Sequence, residues 1–220
     1  MPTLIRVWDL PTRIFHWVLV LCVAALLVTA NVGGGAMAWH LRFGYIVIAL
    51  LLFRLIWGFV GGRWSRFSSF VYSPAALWRY LQGRHSPVVI GHSPIGALSV
   101  FSMLLFLLAQ VTSGLFSDDE ISVSGPFSHL VSSSWVSLAT YYHTRVGKLI
   151  ILSLIVVHIA AIFFYWHRRR QNLLFPMIFG DKELSQGAPS SRDDRRSRWL
   201  AVLVFLACLA LISLSVGFQA

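Results

Sequence analysis

Five apolar runs, at about 14–30, 41–60, 95–116, 149–166 and 199–216, govern what this chain can fold into. Each is long enough to cross a hydrocarbon layer of roughly 30 Å. Inside such a layer a backbone amide finds no water, so each run must close its own hydrogen bonds as a helix. The expected fold class is therefore all-α: an integral membrane four-helix bundle with a fifth, C-terminal transmembrane helix. With 57% hydrophobic and 12% charged residues among 220, a water-soluble single core is excluded.

Charge placement gives the expected orientation, because Lys and Arg near the ends of short loops stay on the cytoplasmic side. Arg6 and Arg13 precede the first run, Arg63, Arg66, Arg79 and Arg84 lie between the second and third, and eight more lie between the fourth and fifth. Fourteen of the 18 basic residues thus fall on one side. The opposite loops, 31–39 and 117–142, hold no Lys or Arg, and the second carries Asp118, Asp119 and Glu120. A multi-pass protein of the bacterial inner membrane is expected, embedded in lipid, with a cytoplasmic N-terminus and a periplasmic C-terminus. The net charge of +10 follows from this topology; no basic base-reading helix or RNA-binding signature accompanies it, so nucleic acid is not expected as a partner. Residues 14–30 resemble a signal peptide, yet thirteen residues including Asp9 come before them and four more runs follow, so the run is read as a retained helix.

Between runs two and three, SPAALWRYLQG places Ser73 at a cap, Pro74 at a first helical position and Gly83 at a stop, which predicts a short interfacial helix. HRRRQNLLFPMIFG, after run four, predicts a second one. The polar stretch DKELSQGAPSSRDDRRSR is expected to be a flexible linker to the fifth span. That span holds no ionisable residue and reads as an accessory helix. Cys22 and Cys208 each lie alone within a span and read as small buried apolar residues rather than a zinc pair or a covalent haem attachment. Seven tryptophans, 17, 39, 57, 64, 135, 166 and 199, fall near span ends as an aromatic belt does.

Ionisable side chains within spans are costly and face a bundle interior or a pathway. The topology assigns each such histidine a depth. His16 and His158 fall at the inner level, and His40 and His143 at the outer level. His143 and His158 are 15 residues apart, about 22 Å along a helix, and about 1500° of rotation returns them to within roughly 60° of one face. One such histidine alone reads equally well as structural; four in a two-by-two arrangement point to two stacked sites, His16 with His158 and His40 with His143. Zinc needs three or four protein ligands, whereas haem iron brings four equatorial nitrogens and needs only axial ones. The four histidines are therefore read as the metal ligands of two haems.

Arg54, 14 residues after His40 and so ~21 Å further along span two, is placed to meet an inner haem propionate, or equally to snorkel to the headgroups. Arg42, Arg145 and Lys148 gather near the outer pair, where propionates need cationic partners. His92 either starts the third helix or contacts quinone. His85, His129 and His167 read as solvated.

RVWDLPTRIFHW, HLRFGY, FRLIWGF, GHSPIGAL, GLFSDDEISVSGP and the span-four stretch through NLLFPMIFGDK together resemble the bacterial cytochrome b561 family, grouped with the b-type cytochrome subunits of nickel-iron hydrogenases; the resemblance covers about residues 4–183. It implies a four-helix bundle holding two b haems, with histidines in spans one, two and four as ligands, which match His16, His40, His143 and His158. It implies electron exchange with membrane quinone and a periplasmic redox partner. The domain division that follows is a dihaem domain at 1–183, a cytoplasmic linker at 184–198 and the accessory helix at 199–220. The two span-four histidines stand one residue further apart than the family's usual spacing, so a bulge or a modest shift in haem position is expected.

The function expected is that of a membrane dihaem cytochrome carrying electrons between quinone and a periplasmic protein such as a c-type cytochrome. The acidic loop 118–120 either steers a basic partner or is solvated. Rival readings are a membrane anchor subunit of a hydrogenase or other dehydrogenase, a superoxide:quinone oxidoreductase and, from another class, a haem-free transporter whose histidines bind ions or protons.

Overall fold

The helices of the first, second and fifth runs begin four residues before their apolar stretches and that of the third begins one residue before; at the first, third and fifth, polar caps, which hydropathy does not register, supply the first turn with partners. The computed structural model describes residues 3–84, 90–121, 123–184 and 187–217; His85 lies outside the described residues. In chain order the elements are β1 (Thr3–Arg6), α1 (Leu10–Val32), α2 (Met37–Val60), α3 (Pro74–Leu81), α4 (Pro94–Leu115), α5 (Ser133–Tyr141), a π turn (Tyr142–Gly147), α6 (Lys148–Arg168), α7 (Leu174–Phe179), β2 (Asp181–Leu184) and α8 (Arg195–Gly217). Among the described residues, five helical stretches are long and apolar enough to span a membrane: Leu10–Val32, Gly34–Val60, Pro94–Leu115, Ser133–Arg168 and Arg195–Gly217. The fourth starts well ahead of its apolar run, so His143 lies within it rather than at its entrance.

The caps are explicit. The Asp9 carboxylate accepts from Thr12 N at 2.8 Å to start α1. Ser73 Oγ accepts from Ala76 N, with Pro74 in the first turn of α3, as its sequence predicts. Ser93 Oγ accepts from Gly96 N for α4, and Asp194 accepts from Ser197 N for α8. Large apolar side chains such as Leu21, Leu105, Val156 and Leu203 are exposed along the helices, as lipid-facing residues are.

The chain divides into two compact units. The first comprises Met1–Phe15, Arg54–Ser102 and Val156–Leu203. The buried polar residues Asp9, Thr12, Arg54, Ser65, Ser191 and Ser197 all belong to it. Asp9 is its centre. Besides capping α1, its carboxylate accepts from Gly62 N (2.8 Å), Ser65 Oγ (3.0 Å) and Trp57 Nε1 (3.3 Å). One side chain thus ties the start of α1 to the end of α2 and the turn that follows. β1 and β2 pair antiparallel, Thr3 opposite Leu184 and Arg6 opposite Asp181. Gly180 closes α7 at φ 94°, a conformation that favours glycine, and its carbonyl accepts from Val7 N and Trp8 N.

The stretch after β2 departs from the expected flexible linker. Ser191 is buried, donates to Val7 O (2.7 Å) and accepts from Trp64 N (3.2 Å). Asp193 accepts from Leu10 N and meets Arg6, Arg13 and Arg198 at 3.5, 3.9 and 3.0 Å. The polar composition is that of an unfolded segment, but its polar groups match donors and acceptors of the N-terminal residues and become ordered by them. α8 consequently starts at Arg195, four residues ahead of its apolar run.

The second unit comprises His16–Phe53, Met103–Ile155 and Val204–Ala220. Its core is apolar, with Val47, Ala49, Leu50, Leu51 and Phe53 of α2 buried, and Phe53 edge-on to Phe205 at 6.2 Å. Cys22 and Cys208 are both buried and unbonded to each other, in keeping with their reading as apolar residues. In the acidic loop, Asp118 bridges to Ser124 and its amide donates to Thr140 Oγ1 at 3.0 Å.

Asp9→Ala leaves four hydrogen-bond donors in the first unit, Thr12 N, Trp57 Nε1, Gly62 N and Ser65 Oγ, without their acceptor. A loss of about 3 kcal/mol or more is expected, measurable as a lowered unfolding midpoint in detergent, whereas Asp118→Ala on the exposed loop costs less than about 1 kcal/mol.

Candidate functional site

His40 stands on α2 and His143 in the π turn, both in the second unit, and their ring centres are 6.2 Å apart with planes at 88°. His40 Nδ1 lies 3.1 Å from Leu26 O and 3.2 Å from Thr29 Oγ1. His143 Nδ1 lies 2.8 Å from Gln110 O. A carbonyl oxygen only accepts, so each Nδ1 carries the proton and donates, and each Nε2 keeps a free lone pair. A carbonyl bond of this kind orients metal-binding imidazoles and raises their basicity.

The separation fits a shared metal. An imidazole nitrogen stands ~1.2 Å from its ring centre and binds a metal at ~2.0 Å, so two rings opposed across one ion lie ~6.4 Å apart. Among the described residues no group of three or more His, Cys, Asp or Glu is placed to hold a metal ion. Two imidazoles without a third protein ligand suit an iron whose equatorial positions belong to a macrocycle. Gly114 of α4 provides the room: a Cβ there would come within 2.7 Å of the His143 ring.

The backbone at His143 is itself irregular. The π turn at Tyr142–Gly147 encloses His143; π turns insert one residue into a helix and cluster at functional sites.

The other candidates are distributed as follows. Arg42 is exposed, its guanidinium 4.8 Å over the Trp39 ring. Arg145, also exposed, lines an open cavity of about 330 Å³ with Asp118, Asp119, Glu120, Thr140 and Tyr141. Lys148 is half-buried at the start of α6. His16 is half-buried on α1 and edge-on to Trp17 at 5.0 Å; by chain division it belongs to the second unit and His158 to the first. Arg54 is 3% exposed; its Nη2 donates to Ser65 O at 3.1 Å and its guanidinium lies 4.8 Å over Phe67. Its Nη1, shielded from solvent, has no hydrogen-bond partner among the described residues.

His92 packs between Trp8 (4.6 Å) and Phe70 (4.5 Å), its carbonyl accepting from Tyr72 Oη. Burial first, then the nearby charges of Arg54 and His158, push its pKa down to about 3. It is therefore a neutral, enclosed imidazole at the foot of α4.

An all-helical bundle that spans the membrane and opposes two imidazoles at the spacing of one shared metal is the architecture of a membrane haem protein. The chain belongs to the prokaryotic cytochrome b561 family, whose model matches residues 7–180. It is thus a bacterial membrane b-type cytochrome, and its cofactor is haem b; a haem-free transporter does not fit that membership. A probable Ni/Fe-hydrogenase 1 B-type cytochrome subunit of Escherichia coli (strain K12) is 28% identical over 191 residues, covering 70% of this chain and 80% of that protein. Probable Ni/Fe-hydrogenase B-type cytochrome subunits of Bradyrhizobium diazoefficiens (24% over 217 residues, 81% and 86% covered) and Rhizobium leguminosarum bv. viciae (25% over 213, 81% and 88%) are also similar. No solved structure matches the chain.

Sequence reasoning passed over Asp9, Thr29, Gln110 and Gly114. Gln110 had a signal, since it is an amide in an otherwise apolar run, and Gly114 follows it on the same helix face.

For His92 the folded pKa lies below the unfolded value of about 6.5, so its contribution to stability is complete above pH 6.5 and is lost as pH falls from there toward 3. Unfolding free energy measured from pH 7 to 4 is expected to fall more steeply in wild type than in His92→Gln, the difference approaching one proton, ~1.4 kcal/mol per pH unit.

Proposed function

We propose that this chain is a dihaem cytochrome that passes single electrons between membrane quinone and a periplasmic redox protein. The observation carrying this reading is the His40–His143 pair, 6.2 Å apart, with each Nδ1–H committed to a carbonyl and each Nε2 left to bind. His40 and His143 would hold one haem, and His16 and His158 the other. When bound, haem b supplies a one-electron iron couple. Held by two imidazoles, each haem would supply outer-sphere electron transfer rather than binding of dioxygen or substrate.

The protein's residues do the rest. Thr29 and the Leu26 and Gln110 carbonyls fix the tautomer and tilt of the two rings. The apolar flanks of α1, α2, α4 and the π turn exclude water, which weights the local dielectric and hence the potential. Arg54, buried with one guanidinium nitrogen unmatched, is the cation for a propionate, since a buried charge is stable only when partnered. Arg42, Arg145 and Lys148 serve the haem of His40 and His143 from the membrane edge. Orientation follows the basic residues, with the N-terminus cytoplasmic, the C-terminus periplasmic and the His40–His143 haem on the periplasmic side of the bacterial inner membrane.

As to the periplasmic partner, the names of the similar proteins favour a Ni/Fe hydrogenase over a free c-type cytochrome; in that case the chain anchors the hydrogenase and feeds its electrons to quinone.

Purified protein is expected to show a reducible α band and about two haems per chain. His40→Ala and His143→Ala each remove the same haem, and His16→Ala and His158→Ala each remove the other, read by pyridine haemochrome and redox titration. Equivalent losses in His16→Ala and His143→Ala, or a silent His158→Ala, would defeat the pairing. Co-purification with a hydrogenase from the native membrane decides the partner.

A further inference from the structure

A π turn inserts one residue into the ladder and so leaves a carbonyl off its ordinary partner, in a place where lipid offers none. The carbonyl of His143 lies inside such a turn, and Gln110 Nε2 donates to it at 2.9 Å. In return, His143 Nδ1 donates to the backbone carbonyl of Gln110 at 2.8 Å. The clasp is reciprocal: Gln110 holds the backbone of His143, and His143 holds that of Gln110. Two glycines permit the approach. A Cβ on Gly147, within the π turn, would collide with Gln110 Oε1, and a Cβ on Gly114 would meet the His143 ring. Gln110 Oε1 is buried without a hydrogen-bond partner among the described residues, so the bond to His143 is what the amide is kept for.

We infer that Gln110 is a positioning residue for the haem of His40 and His143: it pins the π turn, and through it the direction of the His143 ring and the strength of its Nδ1–H bond. This rests on reading His40 and His143 as axial ligands. The Nδ1–H bond lends the imidazole anionic character, which favours ferric iron; loosening it raises that haem's midpoint potential. EPR senses the same change, because the low-spin ferric signal follows the mutual angle of the axial imidazole planes, here 88°.

The test uses full-length protein with its native haems, comparing wild type, Gln110→Leu, Gln110→Met, Val111→Ala and His143→Ala by haem count, optical redox titration and EPR. Gln110→Leu and Gln110→Met keep the volume and remove the amide, and the second guards against a folding defect in the first. Val111 is a buried neighbour on the same helix, and truncating it opens space without touching the clasp. The expected result is an upward shift in the midpoint potential of one haem and an altered EPR signal in both Gln110 variants. The other haem is unchanged, Val111→Ala is silent and His143→Ala loses one haem. Unchanged potential and EPR in the Gln110 variants, or an equal shift in Val111→Ala, overturns the role of the amide while His143→Ala still upholds the ligand. Two haems retained in His143→Ala overturns the ligand reading, and this inference with it.

Discussion

A helical carbonyl keeps a second lone pair after it has served the helix, and both imidazoles of the second unit depend on such a lone pair. In hydrocarbon an imidazole N–H has no water to fall back on and must find an acceptor in the protein. Leu26 O on α1 and Gln110 O on α4 are those acceptors. Once Nδ1–H is committed, the ring's second nitrogen is directed away from its own carbonyl, and rings anchored on different helices are left to meet. Their 6.2 Å separation follows from two backbone anchors on different helices. Thr29 refines this on one side, spending its hydroxyl on Ala25 O while standing beside His40 Nδ1.

The first unit solves the opposite problem. It concentrates the fully buried polar residues Asp9, Thr12, Arg54, Ser65, Ser191 and Ser197, and the Asp9 carboxylate organises that polarity. Its donors come from α1, α2 and the turn at Gly62–Ser65, and Ser65 also supplies the carbonyl that Arg54 Nη2 uses. A guanidinium with a single neutral hydrogen-bond acceptor is under-compensated in a buried place. Asp9 lies near enough to attract it, yet Nη1 stays unmatched. The unit therefore holds Arg54 buried and incompletely matched, with Ser65 O and the Phe67 ring as its neighbours.

Much of this was legible in the sequence, and the reasons for the exceptions are physical. Hydropathy gave the five spans because lipid imposes the helix on any long apolar run. The placement of basic residues put His40 and His143 at one level, and the two rings lie together in the structure. Polar partners were harder to read. Asp9 sits in an ordinary-looking VWDLPTR, and nothing local states that its acceptors will serve residues some fifty positions away. Gln110 announced itself as an amide in an apolar run without naming His143, 33 residues on. The first and fifth span starts were placed late because their caps, Asp9 and Asp194, are polar and hydropathy averages do not see them.

The stretch at 187–194 is the clearest case of composition misleading. Serine, arginine and aspartate in that density read as solvated chain, but a polar segment stays disordered only if nothing else needs its hydrogen bonds. Here the first residues of the chain do: Arg6 and Val7 offer backbone groups that Ser191 engages, and Arg6 and Arg13 offer charges that Asp193 gathers. β1 and β2 lie outside the family match at its two ends, residues 7–180, and pair with each other, Arg6 meeting Asp181 at 2.9 Å. Each end supplies the other's partners, so neither is a free appendage. The fifth helix is thereby fastened to the N-terminal residues at its own first turn, through Arg198 and the shared Asp193, and the segment that composition assigns to a tether acts as a clamp.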